Sequence, residues 1–180
     1  MVENAQNILD FWFDEISKPF WFKQEDEFDN IIRQNYWDTW TAAVAGELSD
    51  WRESIYGRLA EIIVIDQFSR NLFRDDARAF AYDSMALVLA QEAVRDEEFP
   101  YMLTDWKHFM LMPFMHSESA LVHEQARRLF SKHTSAYALE AELKHKEIID
   151  RFGRYPHRNA VLGRTNTAEE NAWLKENKGF

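Results

Sequence analysis

Apolar residues recur at three- and four-residue steps along almost the whole chain, and this spacing is the strongest constraint on its fold. Such steps place side chains on one face of an α-helix, whereas no segment shows the sustained apolar–polar alternation of a half-buried strand. Only five glycines and four prolines interrupt the 180 residues. The sequence therefore predicts an all-α protein, and its length predicts a single domain over residues 1–180.

Eight helices are expected from the apolar stripes, the caps and the prolines. The third is apolar on nearly all sides, so we predict that it is central and buried. Short loops imply antiparallel neighbours, and paired helices rich in alanine and aromatics favour a right-handed stack of helical hairpins like tetratricopeptide repeats; a plain bundle is the alternative. The predicted helices cover about 5–13, 24–48, 51–68, 76–94, 104–115, 117–132, 135–152 and 167–175.

Local signals predict where individual helices begin and end. Asp50 with Glu53 resembles a capping box that opens the third helix, and Thr167 with Glu170 resembles one that opens the last. Gly153 is placed as the residue that ends the seventh helix.

Composition and charge restrict the function classes. With no cysteine the chain has no disulfide and no thiolate nucleophile, which suits the cytoplasm. The N-terminus lacks the basic region of a signal peptide, and the longest uncharged apolar runs, such as 109–115, are too short to span a bilayer. A net charge of −10 disfavours nucleic acid and anionic membranes as partners, while the oligomeric state stays open.

The first polar cluster lies at the end of the predicted central helix. Asp66 follows Ile62 by four positions, so its carboxylate falls on an apolar face, where it must be paired. Arg70 is four residues further on and can form that pair. Either this is a structural ion pair, or it presents Arg70, Asn71 and Arg74 to a ligand.

The second cluster surrounds Pro113, which cannot sit comfortably inside a helix and marks a kink or a boundary. His116 and Glu118 are therefore expected at a helix junction, where side chains can point into a groove. Ser117 is a candidate N-cap, and Glu118 would be favoured by the positive end of the helix dipole. This structural interpretation accounts for Ser117 and Glu118 and leaves His116 unexplained.

The third cluster occupies residues 151–164, a segment with four arginines and no acid, so that it carries +4 and the remainder of the chain −14. Pro156 prevents the preceding helix from resuming. The candidate ligand-binding residues on this turn are Arg154, His157, Arg158 and Asn159. Guanidinium, imidazole and amide donors suit a carboxylate or a phosphate. The alternative is that they cap carbonyls and neutralise buried acids such as Asp66.

Familiar catalytic signatures are missing from the chain. It has no glycine-rich phosphate loop and no His-Glu-x-x-His, and its one Glu-x-x-His (Glu142 to His145) is half of what a di-iron bundle needs. The sequence therefore predicts no metal and no cofactor. An acid/base role for His116 or His157 beside Asp66 is chemically reasonable, because a histidine near a carboxylate titrates in the useful range.

The three clusters together resemble an uncharacterised, mainly bacterial family called domain of unknown function 924. The matching motifs are Asp-Gln-Phe-x-Arg-Asn-x-Phe-Arg at 66–74 with Ala-Arg-Ala-Phe at 77–80, Pro-Phe-Met-His-Ser-Glu at 113–118, and Arg-Phe-Gly-Arg-Tyr-Pro-His-Arg-Asn at 151–159. The resemblance implies an all-helical fold similar to tetratricopeptide repeats and brings no established substrate, cofactor or catalytic residue. The family commonly has a proline where this chain has Ser69 and a phenylalanine where it has Tyr155.

Two classes of function remain. The first, which the sequence favours, is a binding module with a groove lined by Arg, His and Asn, for a small anionic ligand or the acidic terminus of a protein or peptide. The second is a hydrolase or transferase that acts on an anionic metabolite, with His116 or His157 as acid/base. Both predict that one neighbourhood contains Asp66, Arg70, His116, Arg154, His157 and Arg158.

Overall fold

Helices account for the regular structure of residues 1–177, which are the residues that the computed structural model describes, and this part contains no strand. We number eight helices, of which the third is continuous but changes its winding. Their bounds are α1 Ala5–Phe13, α2 Asp26–Val44, α3 Ile55–Ile63 with Val64–Phe68 and Ser69–Leu72, α4 Asp83–Ala93, α5 Thr104–Met115, α6 Ala120–His133, α7 Ala136–Phe152 and α8 Ala168–Glu176.

Helix α3 is central, as its apolar sequence predicts. Residues 59–66 are almost completely buried, and the helix packs against α1, α2, α4 and α5. Its beginning differs from the prediction. The Ser54 side chain accepts a hydrogen bond from the Gly57 amide and caps the helix, while Ser49–Glu53 forms a 3-10 turn. Gly57 permits this turn to pack closely, because a Cβ there would lie 1.9 Å from the Trp51 carbonyl oxygen.

The middle of α3 is wound as a π-helix over Val64–Phe68, and this turn carries Asp66. Ser69 follows directly; its hydroxyl donates to the Ile65 carbonyl at 2.6 Å and accepts from the Trp40 indole at 2.9 Å. The serine therefore satisfies two buried polar groups that a proline side chain would leave unpaired.

Aromatic rings supply much of the core volume between α1, α2, α3 and α5. Trp12 is 1% exposed and packs against Phe28, Phe68 and Phe109, with ring centroids 5.4–6.1 Å apart. Burial of such large rings contributes strongly to stability.

Helices α4 to α7 pack against their neighbours in sequence, and the tetratricopeptide-like arrangement of these hairpins stays a prediction. Gly153 ends α7 with φ +70°, and Thr167 with Glu170 forms the predicted capping box of α8. Ser119 rather than Ser117 caps α6. No helix within residues 1–177 is both long and apolar enough to cross a lipid bilayer.

Candidate functional site

A cleft of about 240 Å³ lies where the N-terminal end of α4 meets the C-terminal end of α5 and the turn at Pro156–Arg158. Its apolar lining consists of Ala77, Phe80, Ala81, Leu87 and Leu162. Its polar lining consists of Asp83, Ser84, His116, Ser117, Glu118 and Arg158. The cleft thus combines an apolar wall with a few convergent polar groups, as small-molecule sites do.

Asp66 lies beneath this cleft and is 1% exposed. Its carboxylate accepts hydrogen bonds from the Gln67 amide at 2.5 Å and from His116 Nδ1 at 2.7 Å, and it lies 3.1 Å from Arg70 Nη1. Burial opposes ionisation of this carboxyl, but the charge of Arg70 and the hydrogen bonds from His116 and Gln67 hold its pKa below the ordinary value. Asp66 is therefore a buried carboxylate at neutral pH.

His116 caps the C-terminal end of α5 and is 9% exposed. Burial and the nearby charge of Arg70 lower the pKa of His116, while Asp66 opposes this shift. The imidazole is therefore neutral at pH 7, and we assign the hydrogen to Nδ1, which donates to Asp66. Nε2 forms no hydrogen bond within residues 1–177, so its lone pair is available on the side of the cleft.

Four charged side chains form a chain beside the imidazole. Asp83 lies 3.0 Å from Arg70 and 3.1 Å from Arg158, and Arg70 in turn contacts Asp66. Two positive and two negative charges therefore balance one another. Arg158 is held further by aromatic rings, with its guanidinium carbon 4.4 Å from the Phe80 centroid and 4.6 Å from that of Tyr155.

The backbone that carries His116 is fixed on both sides. The Tyr155 hydroxyl donates to the Met115 carbonyl at 2.6 Å, and His123 Nε2 contacts the Ser117 carbonyl at 2.9 Å. Glu118 accepts from the Tyr155 amide at 2.7 Å and is paired by both terminal nitrogens of Arg164. These contacts fix the backbone on both sides of His116.

Irregular helix geometry supports both members of the Asp66–His116 pair. Asp66 sits on the π-helical turn, and Pro113 lies inside α5 three residues before His116. Pro113 was expected to mark a kink or boundary, and it lies within the last turn of α5. Short π-helical segments are frequent at functional sites, because they shift a side chain out of the regular helical register at a cost in stability.

The predicted site residues divide into two groups. Those that meet at or beneath the cleft are Asp66, Arg70, His116, Glu118 and Arg158. Those that do not line it are Asn71, Arg74, Arg154, His157 and Asn159. Of the six residues predicted to share one neighbourhood, Asp66, Arg70, His116 and Arg158 are linked by direct contacts, with Asp83 joining Arg70 to Arg158.

Internal partners explain why most of the second group lies elsewhere. Asn71 and Arg74 both donate to Asp29 on α2, at 2.6–2.9 Å. Arg154 forms two hydrogen bonds to Glu170 at the beginning of α8. For these residues the geometry supports the structural interpretation, in which arginines neutralise buried or capping acids.

The remaining two residues are enclosed beside the turn. Asn159 is 0% exposed and donates to Asn166 at 2.7 Å. The His157 ring lies 5.5 Å from that of Tyr155, and burial together with Arg158 lowers the pKa of His157 to about 4. Of the two histidines proposed as acid/base groups, His116 alone lines the cleft.

Sequence reasoning missed Asp83 and the pair formed by His123 and Glu142. Asp83 lies in the first turn of α4, where an acid is explained by the helix dipole alone, so the sequence offered no separate signal. His123 had one: it precedes Ala126 by three positions and Phe130 by seven, and all three are buried on one face of α6. Within residues 1–177, no group of three or more His, Cys, Asp or Glu side chains could hold a metal ion.

A helical fold with an enclosed His–Asp pair defines only a broad class of helical proteins. Comparison with known proteins identifies the family within that class. Residues 8–178 match the model of a family described as bacterial protein of unknown function (DUF924), and the chain belongs to this family. A solved structure titled as a protein of unknown function, ATU0120, from Agrobacterium tumefaciens is 35% identical, with a TM-score of 0.91 over 96% of this chain and 97% of that one. No curated protein matches.

Proposed function

We propose that the cleft is the active site of a hydrolase or transferase that acts on a small anionic metabolite, with His116 as the acid/base. One observation carries the proposal: Asp66 orients His116 through Nδ1 at 2.7 Å, while Nε2 is unengaged beside a cleft of about 240 Å³. A neutral imidazole with an available Nε2 is the form that a general base requires.

The buried carboxylate has two effects on such a reaction. It holds the imidazole in the tautomer that leaves Nε2 unprotonated, and it stabilises the imidazolium that forms when Nε2 accepts a proton. Arg70 keeps Asp66 ionised without itself lining the cleft. The reaction classes that fit are hydrolysis and group transfer, in which His116 activates water or an acceptor hydroxyl. We place this activity in the cytoplasm, in keeping with a chain without cysteine.

Binding without turnover is the second candidate, and a specific observation favours it. Ser84 and Ser117 carry the hydroxyls that line the cleft, and within residues 1–177 neither hydroxyl is hydrogen-bonded to His116. The extended, arginine-lined groove predicted for an acidic peptide has little support, because Arg74 and Arg154 are each paired with a carboxylate and do not line the cleft.

Incubation of purified protein with a bacterial small-molecule extract tests the proposal. Mass spectrometry compares the wild type with His116→Gln and with His133→Gln, a matched control on a histidine at the end of α6. We expect at least one compound to be consumed far beyond one equivalent by the wild type and the control, and to persist with His116→Gln. Depletion that stops at one equivalent would identify a binding protein. No consumption by the wild type, or equal consumption by His116→Gln, would refute the enzymatic role.

A further inference from the structure

Arg158 has more hydrogen-bond donors than the protein satisfies. Its side chain is 8% exposed, Nη1 is 3.1 Å from Asp83, and Nε is buried without a hydrogen-bond partner among residues 1–177. Nη2 has no hydrogen bond within residues 1–177 and is not enclosed, so it is open on the side where the residue lines the cleft. A guanidinium with unused N–H donors at the wall of a cavity is suited to bind a hydrogen-bond acceptor of a ligand.

The surroundings of Arg158 strengthen its demand for an anion. Phe80 and Tyr155 cover the guanidinium with their rings and exclude water from it. Asp83 is shared with Arg70 and engages only Nη1 of Arg158, so this pairing leaves the other donors of the guanidinium unused among residues 1–177. Charge-assisted hydrogen bonds in a site of this kind are stronger than those to a neutral acceptor.

Charge in the rest of the cleft restricts the anion to a single negative charge. Asp83 and Glu118 both line the cleft, and each is already paired with arginine. The doubly charged form of phosphate would place a second negative charge near these carboxylates, and the described residues that line the cleft include no further cation to offset it. The remaining lining is apolar and includes Phe80, Leu87 and Leu162.

We infer that the substrate is a small monocarboxylate whose carboxylate binds Arg158 and whose short apolar body contacts Phe80, Leu87 and Leu162. That this monocarboxylate is a substrate rests on the proposed function, whereas the binding preference for it does not depend on turnover. Its reactive group lies within reach of His116, which shares the cleft with Arg158. Arg158 is thus the residue that determines specificity.

Nuclear magnetic resonance titration at neutral pH with three probes tests this inference. Butyrate is compared with butyramide, which has the same shape and no charge, and with inorganic phosphate, while the ring C–H signals of His116 report on the cleft. We expect saturable binding of butyrate, about tenfold tighter than that of butyramide, which is the factor expected for one charge-assisted hydrogen bond. Butyramide binding as tightly as butyrate, or phosphate binding more tightly, overturns the inference.

Variants assign the preference to Arg158. Arg158→Gln should remove the difference between butyrate and butyramide, whereas Arg154→Gln, on an arginine that does not line the cleft, should retain it. Should Arg158→Gln fail to fold, the comparison of the three probes with the wild type still decides. In His116→Gln, which lacks the reporter ring, binding is followed through the methyl signals of butyrate and butyramide. This variant should keep the butyrate preference even though it abolishes turnover, so that failure of the acid/base proposal is distinguishable from failure of this one.

Discussion

Two buried histidine–carboxylate pairs meet the same backbone segment, residues 115–118, and they are organised in opposite ways. In the first pair, His116 contacts Asp66 through Nδ1 and leaves Nε2 beside the cleft. In the second, His123 contacts Glu142 through Nδ1 at 2.8 Å, and its Nε2 is used by the Ser117 carbonyl. Similar residue types therefore produce one available imidazole and one that is wholly engaged.

Charge compensation also separates the pairs. Asp66 has Arg70 as a cationic partner, and its pKa is lowered despite burial. Glu142 has one oxygen bonded to His123, while the other, Oε2, is buried and has no hydrogen-bond partner among residues 1–177; burial raises the pKa of Glu142. The Ser117 carbonyl can only accept a hydrogen bond, so His123 Nε2 carries a hydrogen. A single proton, shared between His123 Nδ1 and Glu142, is then enough for the hydrogen bond of this pair.

A buried His–carboxylate pair is therefore not by itself evidence of catalysis. The Glu142–His123 pair holds the backbone, whereas the Asp66–His116 pair orients a nitrogen towards a cavity and has an arginine to keep the carboxylate charged. A structural pair can share its proton internally. A proton-transfer pair needs an ionised acid and an open lone pair.

The largest effect is expected from isosteric neutralisation of the two carboxylates. Asp66→Asn removes one of the two carboxylates that balance Arg70 and Arg158 and leaves one buried positive charge uncompensated. We expect it to lower the free energy of unfolding by roughly 3–5 kcal/mol, the range for breaking a buried pair. Glu142→Gln keeps a hydrogen-bonding group next to His123 Nδ1 and removes no cation's partner. Its cost should be below about 1 kcal/mol, within the range of a single net hydrogen bond.

Urea unfolding of both variants, with unchanged slopes, measures this contrast. Equal losses for Asp66→Asn and Glu142→Gln would mean that the two pairs are energetically alike, and the comparison would then be wrong.

Sequence periodicity predicted the helices well where packing alone decides their bounds. Helices α1 and α5 begin and end at the predicted residues, because their apolar stripes stop where the helix-breaking signals occur. The predicted fourth helix, about 76–94, begins instead at Asp83, since residues 77–79 form a 3-10 turn in which the Asp76 side chain accepts a hydrogen bond from the Arg78 amide. Local capping competed with propensity there, and the stripe of alanines could not reveal it.

The sequence could predict only those site residues whose own position in the pattern is unusual. Asp66 and His116 were found because a charge on an apolar face and an unexplained histidine at a junction are local anomalies. Which arginine meets which acid is set by contacts across long sequence distances, such as the 75 residues between Arg158 and Asp83. The π-helical winding at Asp66 likewise depends on tertiary packing and has no signal in the periodicity.

A smaller effect is expected from Tyr155→Phe, which removes the hydroxyl that donates to the Met115 carbonyl. The buried carbonyl loses this partner, so the free energy of unfolding should fall by about 1–3 kcal/mol. The His116 ring signals should also shift, because the hydrogen bond that holds the backbone of Met115, the preceding residue, is lost. Tyr137→Phe, at a residue that is 69% exposed, is the matched control and should change neither quantity. A stable variant with unshifted His116 signals would show that Tyr155 does not position the imidazole.

The smallest effect is expected in the dependence of stability on pH, where the two pairs act in opposite directions. The lowered pKa of His116 means that the folded state binds its proton less tightly than the unfolded state. Its contribution to stability is therefore complete above the ordinary value of 6.5 and is lost as the pH falls through the folded-state pKa. The raised pKa of Glu142 has the opposite sign: its contribution is complete below the ordinary value of 4.5 and is lost as the pH rises through the folded-state pKa.

Urea unfolding between pH 7 and pH 4.5, the ordinary pKa of Glu142, measures both contributions as differences from the wild type. His116→Gln should lose less stability than the wild type on acidification, because glutamine does not titrate and the loss caused by the lowered pKa of His116 is absent. Glu142→Gln should lose more, because the wild-type gain from protonating Glu142 is gone. Since each difference comes from one titrating group, it should not exceed about 1.4 kcal/mol per unit of pKa shift. Deviations of the same sign in both variants would contradict the opposite organisation of the two pairs.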